Sequence, residues 1–196
     1  PEDFAVPTTS TQKEATVNVI HLERGSTAIN SMPLTIINKE IIADPDRDIL
    51  WAASLDRHHR THALGHAFVK GMGLRRGAVA STYDSHNGVV VGCTKTDMAF
   101  AVNRLVALGG GIVIVENHKV LEELPLPLAG LYSERPFLQV AEHLERLIHQ
   151  IRTLGCALPL PFLTLASLIF PVLPGPRLTN RGIFDVPSHQ KISLEV

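Results

Sequence analysis

Apolar and polar positions alternate most clearly over residues 78–94, where two Val-rich, β-branched runs flank the polar segment Asp84-Ser85-His86-Asn87. Period-two alternation with Val enrichment predicts two buried strands joined by a polar loop. Shorter alternating runs predict strands over residues 15–22, 34–37 and 41–42. These are too short and too few to form a sheet alone, so they read as the end of a sheet whose other strands lie elsewhere. Residues 63–70 alternate Leu64, His66, Phe68 and Lys70 against Ala63, Gly65, Ala67 and Val69, and predict a further strand.

Helical periodicity appears in three places. Asp44-Pro45 pairs a capping carboxylate with a proline suited to a first turn, which predicts a helix running to Arg57 that buries Ile49, Leu50, Trp51 and Ala53. Met98, Ala101, Val102, Leu105, Val106 and Leu108 form an apolar face that Thr96 would cap and Gly109-Gly110-Gly111 would end. The strongest period is Val140, Ala141, Leu144, Leu147, Ile148, Ile151 and Leu154, with Ser133 or Glu134 as cap and Gly155 as stop. Residues 112–115, the Asn117-His118 turn and residues 119–124 predict a hairpin, so 88–115 reads as one βαβ unit. Beyond Cys156 the pattern predicts a short helix at 162–167, a turn at Thr179-Asn180-Arg181-Gly182 and a final strand at 192–196. The class implied is α+β, a mixed sheet with helices packed on it.

Totals narrow the partners. In 196 residues, 45% are hydrophobic and 19% charged, enough for a sizeable core, and the net charge of -1 offers nothing to nucleic acid or an anionic membrane. Cys93 and Cys156 lie far apart, without metal-ligand spacing, and read as buried thiols of a reducing, cytoplasmic compartment. No signal peptide is visible. The longest apolar stretch, 157–174, is interrupted by Pro159, Pro161, Pro171 and Pro174, and is too short for a membrane span. A chain starting at Pro1 reads as a fragment, a processed chain or a trimmed one.

Candidate chemistry centres on ten histidines. His58, His59, His62 and His66 cluster after Arg57. A helix would place His62 and His66 on one face, as zinc sites do, making His59, His62 and His66 a possible ligand set. However, Ala63 stands where a metalloprotease needs Glu, and the alternation from residue 63 argues for a strand. The plainer reading is a polar rim at a helix end. Gly71, Gly73 and Gly77 read as a loop rather than a phosphate cradle, because no Gly-Lys-Ser or Gly-Lys-Thr follows. Asn87-Gly88 is the commonest hairpin-turn pair, and Asp84 and Ser85 suit a turn, yet His86 is not required by turn chemistry. Oriented by Asp84, its ring would serve as a general acid/base near neutral pH.

The runs Arg57-His58-His59, Phe68-Val69-Lys70-Gly71, Arg76-Gly77-Ala78 and Asp84-Ser85-His86-Asn87 resemble the C-terminal domain of bacterial and archaeal adenine deaminases. So do Ala101-Val102-Asn103-Arg104-Leu105, Leu108-Gly109-Gly110-Gly111, Leu124-Pro125-Leu126-Pro127 and Ala129-Gly130-Leu131, and the resemblance continues in register to Leu178-Thr179. It implies an amidohydrolase that converts adenine and water to hypoxanthine and ammonia in purine salvage. The complete enzyme would use a binuclear divalent metal, manganese or iron, held in a barrel domain and activating a hydroxide. It also implies that residues 1–43 are trailing strands of a small β-domain split around the barrel, and 44–196 the C-terminal α+β domain. The site residues implied are Asp84, Ser85, His86 and Asn87, supported by His58. The barrel's ligands, which begin with a His-x-His pair absent here, would lie upstream, so the chain alone would hold no metal and be inactive. The expected partners are adenine, the barrel and further copies of the enzyme. The alternatives are a non-catalytic purine-binding or subunit-interaction module, and a small metal protein using the His59, His62 and His66 cluster.

Overall fold

The computed structural model describes every residue except 24, 25, 60, 62, 85 and 86. The N-terminal half forms β1 (Glu14–Glu23), β2 (Ser26–Ile37), β3 (Glu40–Ile41), β4 (Ile49–Leu55), β5 (Leu64–Lys70), β6 (Ala78–Ser81) and β7 (Gly88–Gly92). Helix α1 (Lys95–Ala107) leads to the hairpin β8 (Gly111–Glu116) and β9 (Lys119–Pro125), then α2 (Phe137–Thr153) and α3 (Pro161–Leu168). Three short strands end the chain: β10 (Pro176–Thr179), β11 (Gly182–Asp185) and β12 (Gln190–Ile192).

The first nine strands make one mixed sheet in the order β3-β2-β1-β5-β4-β7-β6-β8-β9, and the last three make a small antiparallel sheet. The α+β class read from the sequence is therefore the class observed. Strands β1 to β3, assigned above to the split β-domain, run on in the same sheet, because β1 pairs in parallel with β5 through Val19 and Phe68. The βαβ unit is a split one. β7 and β8 both pair antiparallel with β6, so they run parallel to each other with β6 between them.

Strand alternation divides the interior into two cores. One face carries Ile20, Leu50, Ala52, Val69, Val79, Val91 and Ile114 against Leu147 and Ile151 of α2, Phe162 and Leu165 of α3, and Leu178 and Ile183 of the small sheet. The other carries Val17, Trp51, Phe68, Ala80, Val90 and Val113 against Met98, Ala101 and Leu105 of α1 and the N-terminal Phe4 and Val6. Burial of these apolar surfaces is the main stabilising term. Among the described residues no helix is long and apolar enough to cross a membrane.

Several expectations are corrected, among them the α1 cap, which is Thr94 rather than Thr96. The helix predicted from Asp44 is a single 3-10 turn, Pro45–Arg47, which Asp44 does cap by accepting the Arg47 N–H. Asp48 then enters the left-handed region at φ 57°, and the apolar run becomes strand β4, buried on both faces at the centre of the sheet. A strand covered on both sides needs no alternation, and that is why its continuous apolar run resembled a helix. Helix α2 starts after Pro136 without a side-chain cap, rather than at Ser133 or Glu134. The final strand is β12, and residues beyond it run beside β1, with Leu194 accepting the Asn18 N–H at 2.8 Å.

The glycine turn over 71–77 is a loop, as expected. Its anion is built in, because the Asp48 carboxylate accepts the N–H groups of Gly71 and Gly73 at 2.8 and 2.7 Å.

Candidate functional site

β4 and β6 finish, and β5, β7 and β8 begin, at one end of the sheet. Adjacency in the order β5-β4-β7-β6-β8 therefore brings the 56–63 and 82–87 loops together there. The hairpin turn between β10 and β11 reaches the same place from below the sheet. These segments line an open cavity of about 510 Å³ formed by Asp56, His58, His59, Thr61, Asn87, Asn180 and Arg181.

Asp56 shapes the first loop. Its Oδ1 accepts the N–H groups of His58 and His59 at 3.1 and 3.3 Å, and its Oδ2 accepts the Thr61 hydroxyl. The His59 Nδ1 lies 3.4 Å from Oδ1, and the Asp56 side chain is only 4% exposed. Asp56 also donates its own N–H to the Ala63 carbonyl, closing the loop at its base. An Asp side chain bonding backbone two and three residues on is a local turn device. The Thr61 hydroxyl, then the His58 N–H, hold its carboxyl below the usual range against the opposing effect of burial. Asp56 therefore acts as a fixed anion that arranges the loop.

Arg57 turns away from the cavity and donates through Nη2 to the Ala129 carbonyl at 2.7 Å. Thr82, at the start of the second loop, donates its hydroxyl to the Gly130 carbonyl at 2.7 Å and accepts the Gly111 N–H at 2.8 Å. Both loops are thus tied to the 128–131 segment.

Of the expected site residues, His58 and Asn87 meet at the cavity. Asp84 is exposed, with a left-handed φ of 47°. Ser85 and His86 lie outside the described residues, as does His62. His59 is at the cavity rim, whereas His66 is half-buried on β5, on the Phe68 face that α1 covers. Burial, partly offset by Asp3, lowers the His66 pKa. Among the described residues no three His, Cys, Asp or Glu side chains are placed to hold a metal ion.

Sequence reasoning passed over Asp56, Thr61, Asn180 and Arg181. The first two leave a local signal, an Asp followed at +2, +3 and +5 by groups able to bond its carboxylate. Asn180 and Arg181 were legible as a turn, but their arrival at the cavity depends on how the small sheet packs. Chemically, the cavity offers two imidazoles for proton handling and two amides that both donate and accept. Arg181 adds a guanidinium without an ion pair among the described residues.

Residues 26–190 match the family described as adenine deaminase C-terminal domain. The chain is 40% identical over 200 residues to a protein named adenine deaminase from Clostridium botulinum (strain ATCC 19397 / Type A), covering all of this chain and 33% of that protein. It is 44% identical over 187 residues to the adenine deaminase of Methylobacterium nodulans, covering 94% and 33%. To that of Moorella thermoacetica it is 41% identical over 183 residues, covering 92% and 29%. The chain thus spans about a third of the length of the curated relatives it matches.

Proposed function

The chain belongs to the adenine deaminase C-terminal domain family, and from that membership we propose that it is the C-terminal part of an enzyme that hydrolyses adenine to hypoxanthine and ammonia. The observation that carries this reading is the family match over 26–190. The meeting of His58 and Asn87 at one cavity, beside the 84–87 loop, supports it further. In this reading the divalent metals, manganese or iron in a binuclear centre, would be held by a barrel domain of the longer polypeptide. Residues 1–43 would lead from that barrel's small β-domain into this one. The complete enzyme is a cytoplasmic homo-oligomer of purine salvage.

In this reading the 84–87 loop reaches the purine, with His86 exchanging protons and Asp84, Ser85 and Asn87 presenting it. His58 supports the loop from the facing side of the cavity, on a backbone that Asp56 fixes. An imidazole suits this role because its ordinary pKa lies near neutral pH. The test is ammonia release from adenine by the complete polypeptide, with His86→Ala lowering turnover at least tenfold at normal metal content. Unchanged kinetics in that variant would leave the loop a turn. Adenine binding without ammonia release would leave a purine-binding module.

A further inference from the structure

We infer that the cavity end of the sheet, rimmed by Tyr83, Leu128, Tyr132, Phe137 and Leu138, is the surface on which the rest of a longer adenine deaminase polypeptide seats. This rests on the reading above and names the docking surface that reading requires. The rim follows from topology. β9 finishes at Pro125 opposite Gly111, at the cavity end, so the 126–136 connection crosses that end before α2 descends. The far end of α2 lies at the opposite end of the sheet, where the Leu154 carbonyl accepts the Arg75 N–H. Its first turn therefore stands beside the cavity end, where Val140 still packs on the core that Leu147 and Ile151 fill while Phe137 and Leu138 face solvent.

This stretch gathers several large exposed apolar side chains. Phe137 is 81% exposed, Leu138 72% and Tyr132 66%, with Leu128 and Tyr83 exposed nearby in sequence or fold. A run of large apolar side chains left in water marks an interaction surface, and aromatic residues dominate the energetics of such surfaces. The stretch is also held in shape. Leu128 and Tyr132 bridge each other, and Ala129 sits at φ 56°. Arg57 and Thr82 bond the carbonyls of Ala129 and Gly130. Gly130 suits the place, since its backbone takes a left-handed φ of 72°. A left-handed non-glycine residue persists only when its surroundings over-determine it, and a preformed surface loses less entropy on binding.

The same two side chains that pin the rim belong to the loops at the cavity end, so rim and cavity share one end of the sheet. The relatives are about three times as long as this chain. Under the proposed function, the polypeptide outside this region carries the metal centre that must face the cavity. That polypeptide is therefore the occupant, ahead of a second copy of this chain.

Hydrogen exchange read by mass spectrometry tests this, comparing the complete polypeptide with the 196-residue chain, with β6 and β7 as the folding control. The expected result is exchange of the 128–138 amides at least tenfold slower in the complete polypeptide, returning toward the fast rate in its F137D/L138D variant. Equal exchange in both proteins overturns the inference. So does protection that appears in the short chain alone as its concentration rises, which would assign the rim to a second copy. Protection without ammonia release keeps the docking surface and removes the catalytic reading. Ammonia release with an unprotected rim does the reverse.

Discussion

A Cβ placed on Gly65 would stand 1.9 Å from the carbonyl oxygen of Thr179 and 2.6 Å from the Gly182 nitrogen. Strand β5 and the β10–β11 hairpin therefore pack backbone against backbone, a spacing only glycine allows. The hairpin turn is stiffened from within, since the Thr179 hydroxyl donates to the Gly182 carbonyl and accepts the Arg181 N–H. The contact sets how far Asn180 and Arg181 stand over the cavity.

Gly65→Ala is expected to force the hairpin off the sheet. Overpacking of this kind costs about 1–3 kcal/mol, so the thermal midpoint should fall and the Asn180 and Arg181 amide resonances should move. A variant that melts like the parent would show that the hairpin gives way without cost, and that its placement over the cavity is not fixed by β5.

Asp56 yields a prediction in acid. Its folded carboxyl lies below the ordinary value of 3.8 because the Thr61 hydroxyl and the N–H groups of His58 and His59 favour the charged form. A depressed carboxyl contributes stability that is present above the unfolded pKa and lost only as pH falls through the folded one. The amide shifts of His58, His59 and Thr61 should therefore show no Asp56 titration step between pH 7 and 4 in two-dimensional NMR. Asp56→Ala should move all three. Asp56→Asn, which keeps one acceptor oxygen, should disturb them less. A step near pH 4 in the parent would remove Asp56 as the anchor of the loop.

The thiols respond at the other extreme. Burial, aided by Asp48 and Asp97, pushes the Cys93 thiol up to about 12 from 9.0, and burial also raises Cys156. An acid whose folded pKa is raised favours the fold in its neutral form. Its contribution is therefore complete below pH 9 and is lost between about pH 9 and 12, as the unfolded thiol ionises first. Stability should fall across that window, and less steeply in Cys93→Ser after allowance for its altered packing. Iodoacetamide at pH 8 should leave both cysteines unmodified until denaturant is added, because the thiolate is the reactive form. Rapid labelling of the native chain would contradict the burial.

How far the sequence could be read depended on whether each element had one wet face. The strands at 78–92, the β8–β9 hairpin and α1 were legible because their alternation, turn residues and apolar face agreed, although the cap lies elsewhere than expected. Thr94, two residues before the expected Thr96, supplies that cap. β4 was misread because burial on both faces removes the alternation that identifies a strand. The first half of β2 was missed for the opposite reason. As a border strand it exposes Ser26, Asn30 and Ser31 and resembles a loop. In the candidate site, His58 and Asn87 were found through resemblance. Asp56 acts mainly through the Thr61 hydroxyl and two backbone N–H groups, and only the Asp-to-Thr spacing of that set is visible in the sequence. Asn180 and Arg181 reach the cavity only through a tertiary contact at Gly65.

The order of the large sheet bears on how the chain behaves when crowded. Its two borders are β9 and the β2–β3 side, and a bare border is a template on which foreign strands add. On β2, Pro33 offers no N–H, and its carbonyl accepts from Arg47 at 3.0 Å. On β9, Glu123 is clamped by the Arg104 guanidinium, and Glu122 bonds Arg146 and His143, so charge and side-chain bulk line the border. Proline and charge at such positions discourage ladder growth. The nine-stranded sheet is thus guarded against fibrillar self-addition, which leaves its loop-bearing end as the open ground for association.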